Sequence, residues 1–132
     1  MASAGSAESF FTRARAMAAE GHFEYAIDLY LDGLRLDPGN IDVHKELREV
    51  SVRRKAAGGR DLGFVQKIAL RKPTSDPVSA MINREKLMSY DPGNVQWFAE
   101  VGRAAHEAGL QATEMYFAGL VQRVLEASRK RS

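Results

Sequence analysis

The chain has 132 residues, 27% of them charged and 45% apolar, with a net charge of +2; that is enough for one folded core and too little for two. It contains no cysteine, which excludes a disulfide framework, a thiolate metal site and a thiol nucleophile. No run of about 18 apolar residues and no basic-then-apolar leader occurs, so no membrane span or secretion signal is expected, a membrane is not expected as partner, and the setting is expected to be cytoplasmic.

Residues 1–6 are uncharged and mostly small, and read as a flexible lead before a domain covering residues 7–132. Phe10, Phe11, Ala14, Met17 and Ala18 then recur at helical spacing, and after Gly21 so do Ala26, Ile27, Tyr30, Leu34 and Leu36. The two stripes predict a helical hairpin over residues 7–40. It ends on Asp37-Pro38-Gly39-Asn40, a sequence that recurs at Asp91-Pro92-Gly93-Asn94. Proline and glycine stop a helix and turn the chain, and asparagine caps the next helix.

The middle segment, residues 41–94, is longer than its neighbours. Ile41 to about Ala56 reads as a helix with Val43, Leu47, Val50 and Val52 inward, and Pro77 to Tyr90 as its partner, with Ser75 or Asp76 as cap and Met81, Leu87 and Met88 as apolar contacts. Between them residues 57–76 form an insert. It opens on Gly58 and Gly59, and its apolar run predicts a short helix held inward by Phe64 and Ile68. Residues 95–128 repeat the hairpin pattern: Trp97, Phe98, Val101 and Gly102, then after Gly109 the series Ala112, Tyr116, Gly119 and Leu120.

Gly21, Phe23, Ala26, Tyr30, Gly33, Leu34 and Pro38, and their counterparts in residues 95–128, resemble the tetratricopeptide repeat, a helical hairpin of about 34 residues. The match is poor over residues 41–94, where Arg84 stands at the position of an aromatic. The resemblance implies an all-α, right-handed solenoid of about three hairpins, the middle one interrupted, which binds a peptide or helix of a partner protein and does not act as an enzyme. It implies a groove lined by Phe11, Arg15, Lys45, Glu49, Arg103 and His106. The carboxylate-binding set of the family's chaperone-binding members is not matched, since Phe11, Arg15, Glu46, Gln96 and Glu100 stand there.

Chemistry at the level of motifs is sparse. His22, His44 and His106 have no metal-site spacing, so no metal or cofactor is expected, and the histidines read as structural or surface residues. Gly58 to Gly63 lacks the lysine and hydroxyl residue of a phosphate loop and reads as a joint. Residues 45–72 carry nine basic and three acidic side chains. Their bland reading is a solvated face; the alternative is an RNA- or ribosome-associated factor, with Arg53, Arg54, Lys55 and Arg60 on phosphates. Finally, the apolar residues of the last helix cover about half its circumference, so Phe117, Val121 and Val124 are expected to form a homodimer surface.

Overall fold

Ala7, Phe11, Ala14 and Ala18 lie three or four residues apart, and all four are buried on one face of α1 (Ala4–Ala19). The computed structural model describes residues 4–131, so α1 takes in half of the expected lead, and residues 1–3 lie outside the described residues. The described residues form seven helices and no strand. After α1 come α2 (Phe23–Leu36), α3 (Ile41–Ala56), α4 (Phe64–Leu70), α5 (Pro77–Tyr90), α6 (Val95–Glu107) and α7 (Gln111–Arg131).

Glycine ends three of these helices in the left-handed region: Gly21 after α1, Gly58 after α3 and Gly109 after α6, at φ +82°, +95° and +75°. Behind each, the next N–H reaches back five residues: His22 to Met17, Gly59 to Arg54, Leu110 to Ala105, all at 2.9 Å. This closure satisfies last-turn carbonyls, and it needs a residue without a Cβ penalty.

The two Asp-Pro-Gly-Asn turns share one geometry. Asn40 caps α3 at the Val43 N–H and Asn94 caps α6 at the Gln96 N–H, while each asparagine amide donates to its own turn aspartate, Asp37 or Asp91. Asp76 caps α5 at Val78, with Pro77 in the first turn. These turns join α2 to α3 and α5 to α6 as neighbours.

The core runs through α1, α2, α3, α5, α6 and α7. α1 packs on α2, α2 on α3 and α5, α5 on α6, and α6 on α7, while α7 also reaches α3. Two pairs fix the direction of α5 against α3: His44 meets Glu85, and Arg54 lies over the Tyr90 ring. Both residues of the second pair are later in their helices, so α5 crosses α3 in a parallel sense, whereas two arms of a hairpin run antiparallel. The insert is what permits this, because α3 and α5 are not joined by a tight turn.

Two inward assignments are corrected. Val52 is exposed, and Ser51 takes the inner position with its hydroxyl donating to the Leu47 carbonyl. On α4, Phe64 and Ile68 face solvent, and Leu70, with Leu62 ahead of the helix, packs against the core instead. Arg84 explains the reversal. Its guanidinium donates to the carbonyls of Leu70 and Arg71 and pairs with Glu100 at 2.9 Å, tying the C-terminal end of α4 to α5 and α6.

Candidate functional site

The hairpin of α6 and α7 leaves a hollow of about 460 Å³, lined by Phe98, Ala99, Gly102, Arg103, His106, Glu114, Ala118 and Val121. Small side chains open it: Ala99 and Gly102 on α6 and Ala118 on α7 leave a cleft above buried Phe98. A Cβ on Gly102 would stand 3.6 Å from the Phe117 Cβ, an ordinary contact, so the glycine here makes room and is not required for the helices to approach. One end is closed by an exposed pair, His106 Nδ1 and Glu114 Oε1 at 3.0 Å. Arg103 stands exposed on the rim, between this hollow and a smaller one on the α5 side lined by Ala80, Arg84, Glu100, Ala104 and Glu107. Apolar floor and single cation suit a peptide that buries an apolar side chain and offers a carboxylate.

Of the six expected groove residues, Arg103 and His106 are brought together here. Phe11 is not on any groove; it is buried in the core, under Gly33. Arg15 is held between Glu46, through two hydrogen bonds of 2.8 and 3.1 Å, and Glu8 at 2.9 Å. The Arg15 hydrogen bonds keep the Glu46 carboxyl below the usual range despite partial burial, and burial beside Glu46 pushes the Tyr30 hydroxyl up to about 12. Arg15 is therefore engaged in joining α1 to α3. Lys45 and Glu49 are exposed on α3, Lys45 lying 5.9 Å from the Tyr116 ring.

The basic segment is less available than its composition suggests. Arg54 is buried: it donates to Glu24 at 2.6 Å and to the Arg60 carbonyl at 2.8 Å, and stacks 4.2 Å from the Tyr90 ring centre. It is an internal tie and not an anion contact. Arg53 lies over Phe23 and donates to the Ala18 carbonyl, while Lys67 pairs with Asp61. Lys55 and Arg60 remain exposed. Of the expected dimer surface one residue is corrected: Phe117 is in the core, while Val121 and Val124 are half-buried.

The most perturbed group is sealed from solvent. His44 and Glu85 are both wholly buried, with Nδ1 2.7 Å from the carboxylate and Nε2 2.8 Å from the Pro38 carbonyl. A carbonyl only accepts, so Nε2 carries a proton. Burial pulls the His44 pKa down, but Glu85, with the hydrogen bonds to Glu85 and Pro38, raises it above the ordinary histidine value, which favours imidazolium against carboxylate. The Phe117 ring meets the imidazole edge-on at 5.6 Å, and Thr113 donates to the same Pro38 carbonyl. The cluster thus joins α3, α5 and α7. Sequence reasoning missed Glu85, although its place between Met81 and Met88 on one helical stripe marks a charge among core residues.

Among the described residues no group of three or more His, Cys, Asp or Glu side chains is placed to hold a metal, and no helix is long and apolar enough to cross a membrane. The fold is all-helical. Comparison with family models, with curated proteins and with solved structures found no match.

Proposed function

We propose that the chain is a non-catalytic interaction module, an adaptor resembling tetratricopeptide hairpins, which takes an amphipathic peptide or helix of a partner protein in the hollow between α6 and α7. The observation that supports this most is the apolar cleft over Phe98 with Arg103 unpaired on its rim among the described residues. A partner helix with apolar residues three or four apart and a carboxylate between them would fill the cleft and meet Arg103. This reading does not require a regular superhelix of three stacked hairpins, because the cleft belongs to one hairpin.

Peptide display against the native chain tests it. Selected peptides are expected to share that apolar and acidic spacing, and Gly102→Trp, which fills the cleft, is expected to lose them while keeping its helical spectrum. Failure to select any common pattern, or selection of the same peptides by the filled variant, would remove the reading. The RNA alternative is weaker because Arg54 and Lys67 already have internal partners. Homodimerisation through α7 would have to use Met115 and Leu125, which are exposed, and the outer edges of Val121 and Val124.

A further inference from the structure

Seven large apolar side chains stand exposed among the described residues, and three of them, Phe64, Val65 and Ile68, crowd onto the seven residues of α4. The other four, Tyr25, Val52, Met115 and Leu125, are scattered, as single exposed apolar residues commonly are. Phe64 is 78%, Val65 77% and Ile68 49% exposed. At about 100° per residue, Phe64, Val65 and Ile68 fall within roughly one third of the helix circumference, opposite the inward Leu70, while Arg71, which ends the helix, turns its guanidinium to the Trp97 ring and Glu100 on α6.

This outward face is imposed by the structure beneath it. Arg84 holds the C-terminal end of α4, Lys67 pairs with Asp61 ahead of it, and Leu62 and Leu70 fix the inner side. The charge along the segment is mainly of one sign. Between Leu62 and Ser75 there is no acidic residue, while Lys67, Arg71 and Lys72 are basic and Arg60 precedes them. Asp61 is engaged by Lys67, and Arg71 is drawn to the Trp97 ring and Glu100, which leaves Lys72 and Arg60 as the exposed cations of the segment without an ion pair among the described residues.

We propose that the outer face of α4 is a membrane-surface contact: Phe64, Val65 and Ile68 enter the headgroup boundary of an anionic bilayer, and Lys72 lies on its phosphates, with Arg60 adding charge from the other end of the segment. The arc is an exposed apolar projection with an exposed cation beyond each end of the helix, which suits a soft, wide, negatively charged surface. A nucleic acid would draw on the cations and leave Val65 and Ile68 unused. A peripheral contact of this kind needs no spanning helix and is independent of the α6–α7 cleft. One short helix and a few cations make it weak and reversible.

Cosedimentation of the full chain with lipid vesicles decides the matter. At about 50 mM salt the chain is expected to pellet with phosphatidylcholine vesicles containing about 30% phosphatidylserine, much less with phosphatidylcholine alone, and less again as salt is raised. Phe64→Ser with Ile68→Ser is expected to reduce the bound fraction about tenfold, and Arg60→Gln with Lys72→Gln to reduce it severalfold. These side chains are exposed, so both variants should keep the native helical spectrum. Val65→Trp is expected to add a blue-shifted emission, over that of buried Trp97, only when anionic vesicles are present. No pelleting with anionic vesicles, or equal pelleting of the serine variant, overturns the proposal. It is equally overturned if the chain binds RNA but no vesicles, or if the α4 face proves to be a dimer contact that Phe64→Ser dissolves without any effect on lipid binding.

Discussion

An added Cβ at Gly33 would overlap the Phe11 ring, whereas at Gly119, the matching position in α7, it would meet only the Arg123 guanidinium at 3.9 Å. Gly33→Ala is therefore expected to destabilise the chain by about 1–3 kcal/mol through overpacking, which exceeds its helix-propensity gain. Gly119→Ala should stabilise it by up to about 1 kcal/mol. Urea denaturation of both variants checks the pair, and equal shifts of one sign would refute the distinction. At the same scale, the raised His44 pKa makes stability depend on pH in a stated sense. Its contribution is fully present below the unfolded histidine value of about 6.5 and is lost as pH rises through the folded value, at up to about 1.4 kcal/mol per pH unit. Tyr30, Tyr90 and Tyr116, all raised by burial, act only above about pH 10 and leave that window clear. In Glu85→Gln the buried imidazole loses its counter-charge, so the slope between about pH 5 and 8 should reverse, with stability falling on acidification. Unfolding midpoints across that range would show it; parallel profiles for the two chains would assign the native slope to other groups.

At the scale of elements, what could be read ahead of the structure was whatever depends on a few adjacent residues. The turns at Asn40 and Asn94, the glycine stops, the Asp76 cap, the end of α3 at Ala56 and the start of α5 at Pro77 are all local hydrogen-bond chemistry, and all are found. The orientation of α4 was not legible, because Phe64 and Ile68 have the spacing of an inward stripe and only distant Arg84 shows which side is tied down. The candidate cleft was half legible. Arg103 and His106, which the resemblance places on a groove, lie together at the cleft, but Phe11 and Phe117 were assigned to surfaces although both belong to the core, since a stripe shows which residues share a face and not what covers it. The α4 anchor supplies a third prediction. Arg84→Met keeps the packing stem and removes the donors, so amides of residues 66–72 should exchange much faster while global stability falls by only about 1–2 kcal/mol. Unchanged exchange there would mean that Leu62 and Leu70 hold the helix without help.

At the scale of the molecule, the parallel crossing of α3 and α5 divides the chain into two sets of three helices, α1–α3 and α5–α7, that meet through side chains. His44 with Glu85, Arg54 with Tyr90 and Lys86 with Asp28 all cross the seam, as does Thr113 with Pro38. Between Gly58 and α5 the chain contributes no fully buried apolar residue; it touches the core only at its edge, through half-buried Leu62 and Leu70. Covalent continuity at that point is therefore an accessory, and the protein is in effect a heterodimer of its own halves. Residues 1–58 and 59–132, produced as separate polypeptides in one cell, are expected to copurify as a one-to-one complex with a native-like helical spectrum, weakened chiefly by the entropy of bringing two chains together. Halves that elute apart and unfolded would show that the seam cannot hold without the connection. A Glu85→Gln change in one half should then weaken reassembly, turning a buried charge into a specificity element between two separable molecules.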